Sequence, residues 1–231
     1  MTPPAAPIWH PSPNFGPRRG GVRPSLVVLH YTGMASADAA LARLCDPGPE
    51  VSAHYLIDEA GRVFTLVAEE MRAWHAGAGS WAGITDVNSH SIGVELANSG
   101  FEPFPHRQML ALEELLGGIL TRWSIPPHRV IGHSDMAPGR KIDPGPGFDW
   151  QRLALQGLSV WPQSAPGPHE KTDFAADLRR FGYPDLPLPV LQAAFRLRFC
   201  PGVGGTLSRR EVDMAADLAR RFPVDGLQPS A

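Results

Sequence analysis

With 231 residues, 43% of them hydrophobic, and a formal net charge of −2, the chain has material for one well-cored domain and a smaller companion. That balance excludes a disordered chain and provides no basic excess of the kind nucleic acid requires. The longest apolar runs, such as Leu26 to Leu29, fall far short of the roughly 20 residues that span a membrane.

Met1 to Pro24 is rich in Pro, Gly and Arg and lacks the apolar centre of a signal peptide. It reads as an N-terminal extension (residues 1–24), and a cytoplasmic location is expected, with a periplasmic one as the alternative. Ser25 to Thr32 (SLVVLHYT) predicts a buried strand that carries His30 near its end. Ser36 is placed to cap a short helix over Ala37 to Leu44, stopped by Asp46 and Pro47. Ala53 to Ile57 and Val63 to Val67 predict a hairpin, with Gly61 at the turn position that favours positive φ. Ser91 to Leu96 (SIGVEL) is a further strand, with Glu95 near its end. The helix signal is strongest over Arg107 to Trp123, where Met109, Leu112, Leu116, Ile119, Leu120 and Trp123 recur at spacings of three and four. Val130 to Gly132 is a short strand leading into His133.

Residues 25–160 therefore form the expected main domain, and 161–170 (with WPQSAPGP) a linker. Residues 171–231 follow as a small helical domain. Its three helices are predicted over Thr172 to Phe181, Pro189 to Phe199 and Ser208 to Phe222, the last opened by a Ser208/Glu211 capping box. Cys45 and Cys200 lie far apart without CxxC spacing, which indicates neither a disulfide nor a thiolate metal site.

The most informative stretch is GHSDMAPGRKIDPGPGFDW, from Gly132 to Trp150. Its prolines and glycines forbid a long helix and hold His133, Lys141 and Asp143 in one irregular segment. Lys141 is out of character, because the chain has only two lysines, Lys141 and Lys171, among 21 basic residues. A compact ammonium beside Arg140 suggests a specific need. His30, His133 and Asp143 make a donor set of the type that holds catalytic zinc with one position open. Other readings stand beside it: His30 as a strand-end histidine bonded to a carbonyl, and Asp143 as the start of an Asx turn before Pro144.

Taken together, VVLHYT, AHYLIDEAG, RAWHAG, SIGVELAN and GHSDMAPGRKIDPGPGFDW resemble the type 2 N-acetylmuramoyl-L-alanine amidases, zinc amidases related to peptidoglycan recognition proteins. The resemblance covers about Ser25 to Trp150. It implies an α/β (α+β) fold, with a mixed central sheet flanked by helices and the three C-terminal helices as an appendage. It also implies hydrolysis of the amide between the lactyl group of N-acetylmuramic acid, anhydro or not, and L-alanine of the stem peptide. His30, His133 and Asp143 fall on the family's ligands for one zinc ion, Glu95 on its general base, and Lys141 on the residue that stabilises the oxyanion. His75 of RAWHAG falls where the family contacts substrate, and Trp74, Trp81 and Asn88 share that segment as further candidates for substrate binding. Trp74 and Trp81 read equally well as packing aromatics, and His54 as a packed histidine.

Relatives of the recognition and phage types place a catalytic tyrosine where this chain has Ala53, which favours the glutamate mechanism of the bacterial branch. The C-terminal helices resemble a cell-wall-binding appendage, with a simple packing extension as the other reading. Muropeptides are the expected partners, and a monomer is expected. The main rival is a non-catalytic muropeptide-recognition module, which could dispense with the ligands; a second is a zinc amidase of the same fold acting on a different amide.

Overall fold

The computed structural model describes residues 6–163 and 173–224. In chain order the elements are β1 (Ile8–Trp9), β2 (Phe15–Pro17), β3 (Leu26–Tyr31), α1 (Ala37–Cys45), β4 (Tyr55–Ile57), β5 (Val63–Thr65), β6 (Met71–Ala73), α2 (Val87–His90) and β7 (Ser91–Leu96). Then come α3 (His106–Trp123), β8 (Val130–Gly132), α4 (His133–Met136), α5 (Trp150–Leu155), α6 (Phe174–Phe181), α7 (Leu188–Phe199) and α8 (Arg209–Arg221). The expected linker falls largely outside the described residues, as do His169 and Lys171.

Six strands form one mixed sheet in the order β1-β5-β4-β7-β3-β8. Strands β4, β7, β3 and β8 run parallel to one another, and β4 pairs antiparallel with β5. The β4–β5 turn needs Gly61 twice over: its φ is +84°, and a Cβ there would lie 2.7 Å from the Arg107 carbonyl oxygen.

Strand alternation divides the sheet into two faces. Val27 and Leu29 of β3, Ile92, Val94 and Leu96 of β7, and Tyr55 and Ile57 of β4 pack against α3 and α5. Leu26 and Val28 point the other way, with Ile131 of β8, into a core shared with α6, α7 and α8. Leu56 and Phe64 pack with α1 on a third cluster. His30 has the parity of Leu26 and Val28, and it is the register partner of Glu95. Glu95 in turn shares parity with Ser91 and Gly93. This one face, at the carboxyl ends of parallel strands, receives the polar residues.

Both ends of the chain are tied into this fold. Residues 8–9 and 15–17, assigned to an extension, are strands: β1 pairs with β5, and β2 with β6. Arg18 anchors the same segment from within. It is 7% exposed, and its guanidinium donates to the carbonyls of Glu69, Ser89 and Ser91 at 2.6–3.1 Å. Pro and Gly content masked this role, because strands of two or three residues leave no periodicity to read. At the other end the three helices do not stand apart, since Phe174, Leu178, Phe195 and Leu218 belong to the core that contains Leu26 and Val28 of the sheet. A core this small gains its burial from the neighbouring sheet. No helix among the described residues is long and apolar enough to cross a membrane.

Candidate metal centre

Three donor atoms converge where β3, β8 and the proline-rich loop meet. His30 Nδ1 lies 3.0 Å from His133 Nδ1 and 2.9 Å from Asp143 Oδ2, and His133 Nδ1 lies 3.0 Å from the same oxygen. All three side chains are buried. β3 delivers His30, while β8 ends directly at His133, which opens the single turn of α4. The Ser134 amide donates to the Asp143 carbonyl at 2.9 Å and ties the loop back against that turn.

The protons of this cluster are set from its far ends. His133 Nε2 lies 2.8 Å from the Ala76 carbonyl oxygen, which only accepts, and 3.3 Å from the donor Arg140 Nη2; the shorter contact favours the hydrogen on Nε2 and a lone pair at Nδ1. On the other side, Ser91 Oγ donates to the Val87 carbonyl at 2.6 Å and accepts from His75 Nε2 at 3.1 Å. His75 Nδ1 then accepts from His30 Nε2 at 3.0 Å, which leaves His30 Nδ1 as a second lone pair. Burial, reinforced by neighbouring His133, lowers His30 to about 4, so it is neutral near pH 7. Two imidazole nitrogens and a carboxylate oxygen at 2.9–3.0 Å from one another form a group of the size that could hold a metal ion. Nitrogen and oxygen donors of this set suit zinc.

Around the cluster lies a cleft of about 580 Å³, lined among others by Tyr31, Thr32, Trp74, Glu95, Arg140 and Lys141. Glu95 Oε2 is buried without a hydrogen-bond partner. Burial pushes the Glu95 carboxyl well above the usual range, the Asp143 charge pushes the same way, and Lys141 opposes them.

The structure thus brings His30, His133, Asp143, Glu95, Lys141, His75 and Trp74 to one cleft. Two other candidates lie elsewhere. Trp81 is 1% exposed and packs edge-on against Phe181 and Tyr183, with Gly182 leaving the space its ring occupies. It is a core residue, and the apolar C-terminal helices explain why. Asn88 uses its side-chain Oδ1 to accept from the His75 and Ala76 amides at 3.0 and 2.9 Å, so that oxygen holds backbone. His75 lies beneath His30, over Gly93, where a Cβ would come within 2.5 Å of its ring. His54 is fully buried, as a packed histidine should be.

Sequence reasoning missed Arg140, whose guanidinium donates to the Ala76 and Ala78 carbonyls. Its position next to Lys141 was the available signal. It also missed Ser91 and the Ala76 carbonyl, which no residue type announces.

Comparison with known proteins agrees with this geometry. A family profile described as N-acetylmuramoyl-L-alanine amidase matches residues 20–146. The chain is 38% identical over 225 residues to the N-acetylmuramoyl-L-alanine amidase AmiD of Escherichia coli, covering 83% of this chain and 79% of AmiD. It is 36% identical to the 1,6-anhydro-N-acetylmuramyl-L-alanine amidase AmpD of Haemophilus influenzae, over 61% of this chain and 86% of that protein. Among solved structures, E. coli AmiD in complex with the substrate anhydro-N-acetylmuramic acid-L-Ala-D-gamma-Glu-L-Lys superposes with a TM-score of 0.79 at 34% identity, covering 90% of this chain and 93% of that one. AmpDh3 from Pseudomonas aeruginosa in complex with anhydromuramic pentapeptide gives a TM-score of 0.79 at 33% identity, with coverage of 89% and 94%. This chain belongs to the N-acetylmuramoyl-L-alanine amidase family.

Proposed function

We propose that the protein hydrolyses the amide between the lactyl group of anhydro-N-acetylmuramic acid and L-alanine of the stem peptide, with one zinc ion held by His30 Nδ1, His133 Nδ1 and Asp143 Oδ2. The observation that carries this reading is the convergence of three potential metal donors beside an unpartnered, buried Glu95 carboxylate oxygen in one cleft. The anhydro substrate is supported by the compounds named with AmiD, AmpD and AmpDh3. A zinc ion, when bound, supplies Lewis acidity toward the scissile carbonyl and lowers the pKa of water.

The remaining work falls to the chain. Glu95 Oε2 takes the proton of the attacking water and returns it to the departing alanine nitrogen. Its raised pKa is in the direction a general base needs near neutrality. Lys141, on the cleft wall, places its ammonium against the oxygen that becomes negative as the carbonyl is attacked. Trp74 and Tyr31 line the same cleft and shape the space for the sugar and the first residues of the peptide.

Mass spectrometry of anhydromuropeptides incubated with the zinc-loaded protein tests the reading. A free peptide beginning with L-alanine, together with the anhydro sugar, is expected. Intact substrate, or a cut within the peptide, would overturn it.

A further inference from the structure

The C-terminal helices meet the metal centre through one buried ion pair. Arg198 of α7 is 2% exposed, and its Nη1 donates to Asp135 Oδ2 at 2.7 Å. Its Nη2 donates to the Val130 carbonyl at 3.1 Å and to Ser159 Oγ at 3.2 Å, and the guanidinium stacks 4.2 Å from the Trp150 ring centroid. Asp135 is fully buried. Its Oδ1 accepts from the Tyr183 hydroxyl, and its Oδ2 also accepts from the Gly132 amide at 2.8 Å.

Asp135 belongs to α4, the turn that His133 opens, and Gly132 is the residue before that ligand. One carboxylate therefore fastens the turn on both sides of His133, and its side-chain partners, Arg198 and Tyr183, both come from the C-terminal segment. The same turn carries Ser134, whose amide holds the Asp143 backbone. Displacing Asp135 would move two of the three donors together.

We infer that Arg198 and Tyr183 are positioning residues for the metal centre: through Asp135 they fix the turn that presents His133, so the C-terminal helices serve as its buttress. This rests on the reading of His30, His133 and Asp143 as zinc ligands. A burial contribution alone would stabilise the fold without favouring one arrangement of the ligands. The orientation of outer groups, by contrast, changes metal affinity by about 10- to 100-fold in metalloenzymes.

The test uses the full chain, stripped of metal and titrated with Zn²⁺ against a chromophoric chelator, and with Co²⁺ followed by its visible absorption. Tyr183→Phe keeps the ion pair and removes one bond to Asp135; Arg198→Met removes the pair. Phe195→Leu, in the same helix and core but without a hydrogen bond to Asp135, is the control for plain destabilisation. Tyr183→Phe and Arg198→Met are expected to weaken Zn²⁺ binding by about tenfold and to alter the Co²⁺ spectrum. Phe195→Leu is expected to lower Tm while leaving affinity and spectrum as in the parent.

Should Arg198→Met fail to fold, Tyr183→Phe decides. Parental affinity in the folded variants, or an equal loss in Phe195→Leu, overturns the buttress. A parent that binds neither ion overturns the ligand reading instead.

Discussion

The loop 132–143 and the segment 74–88 approach the same three donor atoms from different sides and act on them in different ways. The loop sends side chains: His133 and Asp143 supply donor atoms, and Lys141 lines the cleft. The segment sends mostly backbone and packing. The Ala76 carbonyl fixes the proton of His133, Asn88 holds the amides of residues 75 and 76, and Trp81 is buried beneath the C-terminal helices. Only His75 reaches the cluster with a side chain, and it touches a ligand rather than the cleft chemistry itself. Donor atoms demand particular residue types, whereas a carbonyl comes with every residue. Substitutions in the loop should therefore abolish a chemical role outright, while substitutions in the segment, Trp74 on the cleft wall apart, should act through stability and metal affinity.

Trp81→Ala should break that contrast most forcefully if it is wrong. The ring is enclosed by Phe181, Tyr183 and Gly182, so its removal is expected to destabilise the fold by about 3–5 kcal/mol, the usual range for a deleted core aromatic. Urea unfolding measures this. A variant of parental stability that instead lost affinity for muropeptide would restore Trp81 to the substrate site.

Lys141→Ala is the matching change in the loop. It should retain fold and zinc and lose about 10²–10³ in kcat, near the effect of removing one oxyanion donor. Turnover equal to the parent in a zinc-replete variant would deny the lysine its role.

These two residues also mark where the sequence was readable. Lys141 was legible because lysine is rare in this chain and stands inside an irregular, glycine- and proline-bound loop. His30, His133 and Glu95 were legible because they stand at or beside strand ends inside motifs that resemble the amidases; that His30 and Glu95 share one face came only from the register of β3 and β7. Trp81 was not, since a tryptophan among glycines looks the same whether it stacks on a sugar or fills a core; its partners lie about a hundred residues away on helices whose docking no local pattern encodes. Arg198 left a trace that went unread. Leu191, Phe195 and Arg198 are spaced four and three apart, so the arginine occupies an apolar-stripe position and signals a buried partner. Arg18 and the short strands β1 and β2 left none.

His75→Ala probes the one side chain by which the segment touches a ligand. It removes the acceptor that keeps the His30 hydrogen on Nε2, so His30 Nδ1 is no longer held free of a proton. Zinc affinity should fall by about 10- to 100-fold, as for other outer-shell partners of metal-bound histidines. With zinc in excess, activity should largely return. If affinity stayed parental and only KM rose, His75 would be a substrate contact after all.

The smallest expected effect concerns His54, the histidine next to this segment that takes no part in the chemistry. Its Nδ1 accepts from the Gly93 amide at 3.0 Å, and its Nε2 faces the Met71 carbonyl at 3.0 Å, so the neutral ring is satisfied in place. Burial, and then the charge of Arg18, lowers His54 from the ordinary 6.5 to about 3. Between those values the unfolded chain binds a proton that the folded chain refuses. Stability from this residue is therefore fully present above pH 6.5 and is lost as pH falls toward 3. Because the loss cannot exceed about 1.4 kcal/mol per pH unit for one proton, going from pH 8 to pH 6 should cost just under about 1 kcal/mol at this site. NMR of the ring is the direct measurement: its signals should stay those of the neutral form down to pH 5. A His54 that titrated near 6.5 in the folded protein would mean that the face behind His75 is open to water, and the division between a chemical loop and a dry framing segment would not hold.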